Sequence, residues 1–246
     1  MKLLVCICKT PDTTSKISFN ADNTAFNAAG VQFIMNPYDE WYALVRAMEI
    51  KETLGGTVTL INVGTVEDEQ IIRKGLALGA DDAVRVNASP ASSLYVAHQV
   101  STYAKANGFD IVMLGKETID YNGSEVGAMI AEYLDMPYIS YANKLDLAGN
   151  TATIERDIEG GVEVVEVDTP FVLSAAKGLA EQRIPNMRGI MMAKSKPINV
   201  IEPSAFVDQA TVSSYKLPIA KTGVKLLDAS QMDELVRMLH EESKVI

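Results

Sequence analysis

Short apolar runs alternate with amphipathic stretches through the first half of the chain. Each run has the length of a buried parallel strand, and each stretch places apolar residues at the spacing of one helix face. The predicted order is strand 2–8, helix 37–54, strand 57–63, helix 67–78, strand 83–86, helix 91–106, strand 111–114 and helix 125–134. This alternation predicts an α/β fold with a mostly parallel, doubly wound, Rossmann-like sheet and right-handed crossovers.

The pattern changes after Pro137, where strand-like runs follow one another without an intervening helix. We interpret these runs as an antiparallel extension of the same sheet. They cover residues 138–147, 152–158, 162–167 and 171–175. Residues 11–33, by contrast, combine weak helical periodicity with many turn residues, which predicts extended pieces or a small hairpin.

The last part of the chain has weak hydrophobic periodicity until an amphipathic helix that we predict at 230–242. Ser230 with Asp233 resembles a capping box at the start of this helix. A weakly patterned arm that ends in an amphipathic helix suits packing against another subunit better than against its own core. We therefore divide the chain into an α/β domain at 1–200 and a C-terminal arm at 201–246.

The stretch from residue 109 to 137 combines a buried strand, a glycine-bearing loop and a helix start. The first N–H groups of a helix have no partner inside it, so such a start can bind an anion. Gly123 has no side chain to obstruct a phosphate, and Ser124 can cap the helix or donate a hydrogen bond. The alternative is an ordinary connection, and since neither a Walker motif nor GxGxxG occurs, the stretch is nucleotide-like without being diagnostic.

A second helix start is predicted at the motif MNPYDE, residues 35–40. Asn36 is placed to cap this helix, and Pro37 fits its first turn. Asp39 and Glu40 then lie at the positive end of the helix dipole, where carboxylates are favoured. Ligands of parallel sheets bind beyond the carboxyl ends of the strands, so the loops after the first, second and fourth predicted strands should line one pocket.

Composition narrows the function classes. With 246 residues, 48% of them hydrophobic, and a mean hydropathy of +0.07, the chain can form a large core but does not resemble a membrane protein. A formal charge of −10 argues against nonspecific nucleic-acid binding. Two cysteines, Cys6 and Cys8, form no disulfide framework, which favours a reducing compartment such as the cytoplasm. The two histidines lie far apart on predicted helices, so neither a metal site nor a catalytic triad is expected.

Residues 183–196, RIPNMRGIMMAKSK, combine methionines with cations. Methionine is unbranched and polarizable and suits adaptable contact surfaces, while the cations would steer an acidic partner. The alternative is a short amphipathic helix whose apolar residues belong to the core. We expect a core position for Ile190 and Met191, but not for Met187 at the tip of the loop.

Five motifs follow one another along the chain: MNPYDE from residue 35, IIRKGLALGADDAVRV from 71, LGKETIDYNGSEVG from 114, IERDIEGGVEVV from 154 and RIPNMRGIMMAKSK from 183. In that order they resemble the β subunit of electron-transfer flavoprotein over essentially the whole chain. The resemblance implies a heterodimer with a larger α subunit that holds the redox-active FAD, while the β subunit binds a structural AMP. Electrons would arrive from acyl-CoA and related dehydrogenases and leave to a quinone oxidoreductase, with the β subunit acting as a carrier subunit rather than an enzyme.

The same resemblance assigns roles to individual positions. Tyr38 would approach the flavin of the α subunit, and Met187, with Arg188 beside it, would replace the leucine that usually anchors dehydrogenases. Asp157 aligns with an acidic residue thought to influence how the mobile flavin domain docks. The implied cofactor-binding positions are Cys6, Asn36, Pro37, Tyr38, Asp39, Val63, Gly115, Thr118, Tyr121, Gly123, Ser124, Glu125 and Val126.

Two other hypotheses remain open. Electron-bifurcating relatives bind a second FAD in place of AMP, together with NADH, and typically carry Gly-Pro-Pro after the second long strand. Here residues 64–67 read Gly-Thr-Val-Glu, which favours the AMP form. A stand-alone adenine-nucleotide-binding protein would share the fold, but it would explain neither the methionine-rich loop nor the C-terminal arm.

Overall fold

The predicted alternation of strands and helices is present in the structure, a computed structural model that describes residues 1–90, 92–210, 212–220 and 223–246. The first half contains β1 (Lys2–Cys6), β2 (Lys9–Pro11), β3 (Phe33–Met35), α1 (Asp39–Leu54), β4 (Thr57–Gly64), a 3₁₀ turn (Val66–Asp68), α2 (Glu69–Leu78), β5 (Asp82–Asn87), α3 (Ser93–Asn107), β6 (Ile111–Gly115) and α4 (Val126–Leu134). The second half contains β7 (Tyr138–Ala148), β8 (Thr151–Ile158), β9 (Gly161–Asp168), β10 (Phe171–Ala175), α5 (Met187–Ala193), β11 (Ile198–Ile201) and α6 (Met232–Arg237), which continues as a π-helical turn (Met238–Glu242).

Nine strands form one sheet in the order β11-β5-β4-β1-β6-β10-β7-β8-β9. Neighbours from β11 to β7 pair in parallel, and β7, β8 and β9 pair antiparallel. The chain runs outward from β1 through β4 to β5 and then returns to β6 on the other side of β1. The topological switch point therefore lies between β1 and β6, where such sheets bind ligands. The α/β class and the mostly parallel sheet are confirmed.

The placement of one strand corrects the sequence interpretation. We predicted residues 171–175 as part of the antiparallel extension, but β10 lies inside the sheet and pairs in parallel with both β6 and β7. All five of its residues are buried. A continuous apolar strand is typical of a parallel position covered on both faces, whereas alternation is typical of a half-exposed antiparallel strand.

Each face of the sheet carries its own core. Leu3 and Val5 point to the core beneath α1 and α2, while Leu4 points to the core beneath α3 and α4. Helices thus cover both faces, as the doubly wound architecture requires. The apolar face predicted for α4 contacts the second core through Val126, Met129, Ile130 and Leu134.

Helix ends were predicted well and helix starts less well. The helix ends predicted at 54 and 78 match those of α1 and α2, and the residues that follow, Gly55 and Gly79, have positive φ. Asn36 does not cap α1, because the helix begins two residues after Pro37 and Tyr38 occupies the cap position. Helix α3 begins at Ser93, and the first residue predicted for it, position 91, lies outside the described residues.

The capping box predicted for the C-terminal helix is also wrong. Gln231 occupies the cap position of α6, and the Ser230 hydroxyl donates to Asp228 at 2.5 Å. The predicted helix 230–242 is present as α6 and its π-helical continuation. The Ser230 side chain bonds locally to Asp228 and therefore does not cap the helix.

The arm is tied to the rest of the chain at several points. Gln99 is buried and exchanges hydrogen bonds with the backbone of Ser204, and the Phe206 ring stacks on His98 at 4.5 Å. Tyr215 stacks on Phe19 at 4.9 Å. Strand β11 spans the predicted boundary at residue 200, and the division into two domains stays a prediction. Among the helices described, none combines the length and apolar character needed to cross a bilayer.

Candidate functional site

The predicted cofactor positions gather at the carboxyl edge of three neighbouring strands. Cys6 ends β1, Val63 and Gly64 end β4, and Gly115 ends β6. The first turn of α1 lies against this edge, because a Cβ at Gly115 would stand only 2.8 Å from the Glu40 backbone nitrogen. A glycine at this position therefore allows β6 and α1 to meet closely.

Asn36 holds the loop that follows β6. Its side chain is fully buried, its amide nitrogen donates to the Glu117 carbonyl at 2.9 Å, and its oxygen accepts from the Ile119 N–H at 3.0 Å. The Asn36 backbone N–H donates to the Cys8 carbonyl at 3.0 Å. Asn36 thus joins the end of β1 to the loop that carries Thr118 and Tyr121.

The loop itself has an unusual backbone. Asn122 and Ser124 have φ values of +51° and +53°, which L residues rarely adopt. The Ser124 hydroxyl donates to the Glu117 carboxylate at 3.0 Å and does not cap α4. The three atoms nearest to a Cβ at Gly123 belong to the Glu125 side chain and lie 3.4 to 3.6 Å away, so a larger residue there would meet a flexible neighbour first. Tyr121 is 65% exposed, and its hydroxyl lies 3.3 Å from that of Tyr215.

The start of α4 leaves backbone donors open. Glu125 occupies the cap position without a side-chain cap, and the first N–H that turns back into the helix is that of Met129. The hydrogen bonds found among the described residues do not use the N–H groups of Val126, Gly127 or Ala128. These three groups can therefore bind an anion placed at the end of β6.

Glu40, which the sequence placed at the start of α1, is buried beneath the site, and this burial was not predicted. The Glu40 carboxylate accepts from the Cys8 N–H at 2.8 Å and contacts the Cys8 thiol at 2.9 Å. Burial raises the pKa of Glu40 to about 8, the bonds from Cys8 oppose the rise, and Asp120 and Asp39 add to it. Burial also raises the pKa of Asp39 to about 6, with Lys116 opposing. Both carboxyls therefore keep their protons to a higher pH than exposed carboxyls do.

The two thiols at this edge, those of Cys6 and Cys8, also keep their protons to a higher pH than exposed thiols do. Burial, together with the charge of Glu40, raises the pKa of both Cys6 and Cys8 well above the ordinary value. Both cysteines are free. Thiols with raised pKa values are poor nucleophiles, so the site offers packing rather than thiol chemistry.

A second buried polar group fixes the turn after β4. Asp68 pairs with Lys9 at 2.7 Å, and the Asn62 amide donates to the Ile7 carbonyl at 3.1 Å. A Cβ at Gly64 would stand 2.1 Å from the Asp68 carboxylate. Arg85 donates to the Gly64 carbonyl at 3.0 Å. These contacts, which span up to 59 positions of sequence, could not be inferred from local patterns.

A cavity of about 450 Å³ lies beside Tyr38 rather than between the three loops. Trp41, Tyr42 and Lys74 contribute to its wall, whereas the loops after β4 and β6 do not. Tyr38 itself is 62% exposed and has a φ of +66°, an unusual conformation for an aromatic residue. The expectation of one pocket shared by three loops is therefore not met by this cavity.

The methionine-rich segment forms α5, and its apolar side chains face outward. Asn186 caps the helix by accepting from the Gly189 N–H at 2.8 Å. Met187 is 74% exposed, as predicted, but Ile190 and Met191 are exposed as well, at 43% and 68%. The expectation that the latter two belong to the core is wrong, since the buried residue of α5 is Ala193.

The remaining predicted partner positions lie apart. Arg188 is exposed beside Met187, while Asp157 is exposed on β8, close to the antiparallel edge of the sheet. Helix α5 packs on α2, and α2 covers β4 and β5, which lie towards the opposite edge of the sheet from β8. No group of three or more potential metal ligands occurs within the part of the chain that the structure describes.

These features define a doubly wound, Rossmann-like α/β protein with open donors at its switch point and an exposed apolar helix. The electron transfer flavoprotein domain model matches residues 24–206. The chain is 36% identical to electron transfer flavoprotein subunit beta of Bacillus subtilis over 261 aligned positions, which cover 100% of both proteins. It is 32% identical to the human subunit beta, covering 100% of this chain and 99% of the relative, and 33% identical to the mitochondrial subunit beta of Oryza sativa, covering 100% of each. The chain belongs to the electron transfer flavoprotein subunit beta family, and the resemblance in its motifs is confirmed.

Proposed function

We propose that this chain is the β subunit of a heterodimeric electron-transfer flavoprotein. It accepts electrons from acyl-CoA and related dehydrogenases through an FAD held mainly by the α subunit, and passes them to a quinone oxidoreductase. The observation that carries the proposal is the similarity, over the whole chain, to proteins named electron transfer flavoprotein subunit beta. The exposed apolar side chains of α5 and of the C-terminal arm are consistent with it, because they offer surfaces to partner proteins. The subunit acts as an electron carrier component, in the cytoplasm if the source is bacterial and in the mitochondrial matrix if it is eukaryotic, and performs no chemistry on an organic substrate itself.

The structural AMP is proposed to bind at the edge formed by β1, β4 and β6. The open N–H groups at the start of α4 suit a phosphate, and Gly123 leaves space in front of them. Asn36 fixes the loop that bears Thr118 and Tyr121, so the site is ordered before the nucleotide binds. Cys6 and Val63 would offer apolar contact from the neighbouring strands.

FAD supplies the redox chemistry when it is bound to the heterodimer, and this chain would contribute one wall of its site. The exposed ring of Tyr38 and the cavity beside it offer an aromatic surface on which a planar ring system can stack. Because this wall is open to solvent in the single chain, the flavin needs the α subunit to enclose it. The isolated chain should therefore be colourless.

The C-terminal arm is proposed to pack on the α subunit. Its apolar side chains are far more exposed than those of the sheet core, which suits burial against a partner. Met232 and Val236 of α6 are 62% and 54% exposed. Others along the arm are Val207, Leu217, Ile219, Val224 and Leu226.

Dehydrogenase docking is proposed for the outward face of α5. Met187 offers the apolar anchor, and Arg188 supplies a cation beside it. Asp157 lies near the opposite edge of the sheet, and it is proposed to influence the docking of the flavin domain from there.

The bifurcating alternative, with a second FAD and an NADH site, is less well supported. Residues 64–67 lack the expected prolines, and Gly64 is packed tightly on Asp68. Co-expression with the α subunit, followed by mass identification of the released nucleotides, distinguishes the two forms. We expect one FAD and one AMP per heterodimer, and a second flavin at full occupancy would overturn the proposal. A chain that does not bind the α subunit but carries an adenine nucleotide by itself would favour a stand-alone nucleotide-binding protein.

A further inference from the structure

Two cations join the C-terminal end of α2 to the end of α5 and the residues that follow it. Arg73 of α2 donates from one nitrogen to the carbonyls of Ala193 and Lys196, at 2.7 and 2.6 Å. Lys196 in turn donates to the carbonyls of Leu76 and Ala80, at 3.0 and 2.5 Å. The last carbonyls of a helix have no partner inside it, and cations are favoured there. Arg73 thus binds the end of α5, and Lys196, three residues beyond α5, binds the end of α2.

A glycine brings the two helices into direct backbone contact. A Cβ at Gly189 would stand 2.3 Å from the Ala77 carbonyl oxygen, closer than real Cβ atoms come. Since the obstructing atom belongs to the backbone of α2, a larger residue would push α5 away. The glycine side of α5 therefore lies on α2, and Met187 and Met191 stand in solvent.

The segment is also held before α5 begins. The Trp41 indole donates to the Arg183 carbonyl at 3.1 Å, and the Arg183 guanidinium binds both oxygens of Glu52 at 2.7 and 3.1 Å. Residues 183–196 are thus anchored by α1 at one end and by α2 at the other. A helix of seven residues is too short to be stable alone, so its order depends on these contacts.

We infer that Arg73 and Gly189 are positioning residues of the docking surface, since they hold α5 on α2 and so preset Met187 for its partner. This inference rests on the proposed docking role of Met187. A surface that is already ordered loses less conformational freedom when it binds, and binds more tightly for that reason. The two residues touch neither cofactor nor partner, and they act through the placement of α5.

The test uses the co-expressed heterodimer and follows reduction of its flavin by an acyl-CoA dehydrogenase. Arg73→Gln removes the cap, and Gly189→Ala adds the clash. We expect each variant to raise the KM of the dehydrogenase for the heterodimer by about tenfold and to leave kcat unchanged, because the docked complex is the same once formed. Amide exchange over residues 187–193 should quicken, while the rest of the chain exchanges as before.

Two matched controls accompany these variants. Lys51→Gln removes another cation near the end of α2, one that bonds Gly79 and Asp81 but not α5. Gly161→Ala adds a methyl group where no atom lies within 4 Å. Both should keep KM within about twofold of wild type, a change worth less than about 0.5 kcal/mol.

A double variant separates the inference from the proposal beneath it. In a Met187→Ala background, Arg73→Gln should raise KM little further, because both changes remove the same contact. A full additional increase would overturn the positioning role, as would a wild-type KM for both Arg73→Gln and Gly189→Ala when Met187→Ala alone raises it. A wild-type KM for Met187→Ala would instead overturn the docking role. Failure of both positioning variants to assemble with the α subunit would assign these residues to the core and end the inference.

Discussion

The carboxyl edge of β1, β4 and β6 differs from helix α5 in whether its side chains find partners within this chain. At the edge, Asn36, Glu40 and Asp68 are buried and each has partners supplied by distant parts of the same chain. On α5, the apolar side chains of Met187 and Met191 have their surfaces in solvent. In the proposed function, a nucleotide binds at the first region and a partner protein covers the second.

This difference separates two kinds of substitution. A change at the edge disturbs contacts that the folded chain already makes, so it should affect stability. A change on the outward face of α5 disturbs contacts that exist only in a complex, so it should affect binding alone. Each prediction below tests one side of this contrast.

The largest effect is expected for Met187→Glu. A buried anchor of this size contributes roughly 1.5–3 kcal/mol by area, and burying an unpaired charge adds a further cost. Binding of the dehydrogenase should weaken by at least about a hundredfold, which corresponds to about 2.8 kcal/mol. The measurement is enzymatic reduction of the flavin at several heterodimer concentrations below saturation.

Because Met187 is 74% exposed, its replacement should leave the melting temperature, the AMP content and assembly with the α subunit unchanged. Met187→Leu is the matched control and should retain wild-type binding, since it keeps the apolar volume. Equal reduction rates for wild type and Met187→Glu would show that this side chain is not an anchor.

At the edge, Gly64→Ala should destabilise the fold. The new methyl group would stand 2.1 Å from the Asp68 carboxylate and 2.6 Å from the Asn62 side-chain oxygen, and both residues are buried. Overpacking of this kind costs about 1–3 kcal/mol, or roughly 2–4 °C in melting temperature per kcal/mol for a chain of this size. Thermal unfolding of the variant without added nucleotide measures the effect, and an unchanged melting temperature would contradict it.

The sequence predicted what depends on local pattern. The ends of α1 and α2 were predicted correctly because the glycines that end a helix lie next to its last residue. The continuous apolar character of β10 was visible too, but its neighbours in the chain led us to the wrong pairing.

The site could be predicted only in part, because its contacts join distant positions. Asn36 looked like a helix cap, yet its partners at 117 and 119 lie more than 80 residues away. Ile190 and Met191 were assigned to the core, since periodicity reveals an apolar face without revealing whether the same chain covers it. The roles of the individual cofactor positions stay predictions.

Gly123→Val sharpens the contrast within the edge itself. The atoms nearest to a Cβ at position 123 belong to the flexible Glu125 side chain, at 3.4 Å and beyond, so the fold should tolerate the change. The valine should instead crowd a phosphate at the start of α4 and lower the AMP content of the purified heterodimer. Bound AMP stabilises by roughly 2.7 kcal/mol at a hundredfold excess over Kd, so that increment should shrink.

Melting temperatures with and without added AMP measure the Gly123→Val effect. Wild type should gain stability from AMP and the variant should gain less, while the two should agree when nucleotide is removed. An AMP content and an AMP-induced shift equal to wild type would show that the phosphate lies elsewhere.

The smallest expected effect is a change in the free energy of unfolding with pH, which we attribute to Glu40. Its pKa is about 8 in the folded chain and about 4.5 when exposed, so the folded state holds one proton more between these values. The contribution of Glu40 to the free energy of unfolding is therefore fully present below about pH 4.5. It falls as the pH rises towards 8, by at most about 1.4 kcal/mol per pH unit.

Glu40→Gln imitates the protonated acid and keeps an oxygen to accept from the Cys8 N–H, so the fall in stability with pH should become shallower. Denaturant unfolding between pH 6 and 8 measures it, with the exposed Glu159→Gln as the matched change of charge. Equal slopes in wild type and Glu40→Gln would mean that Glu40 is already ionised in the folded chain, and that the edge is less closed to solvent than its burial indicates.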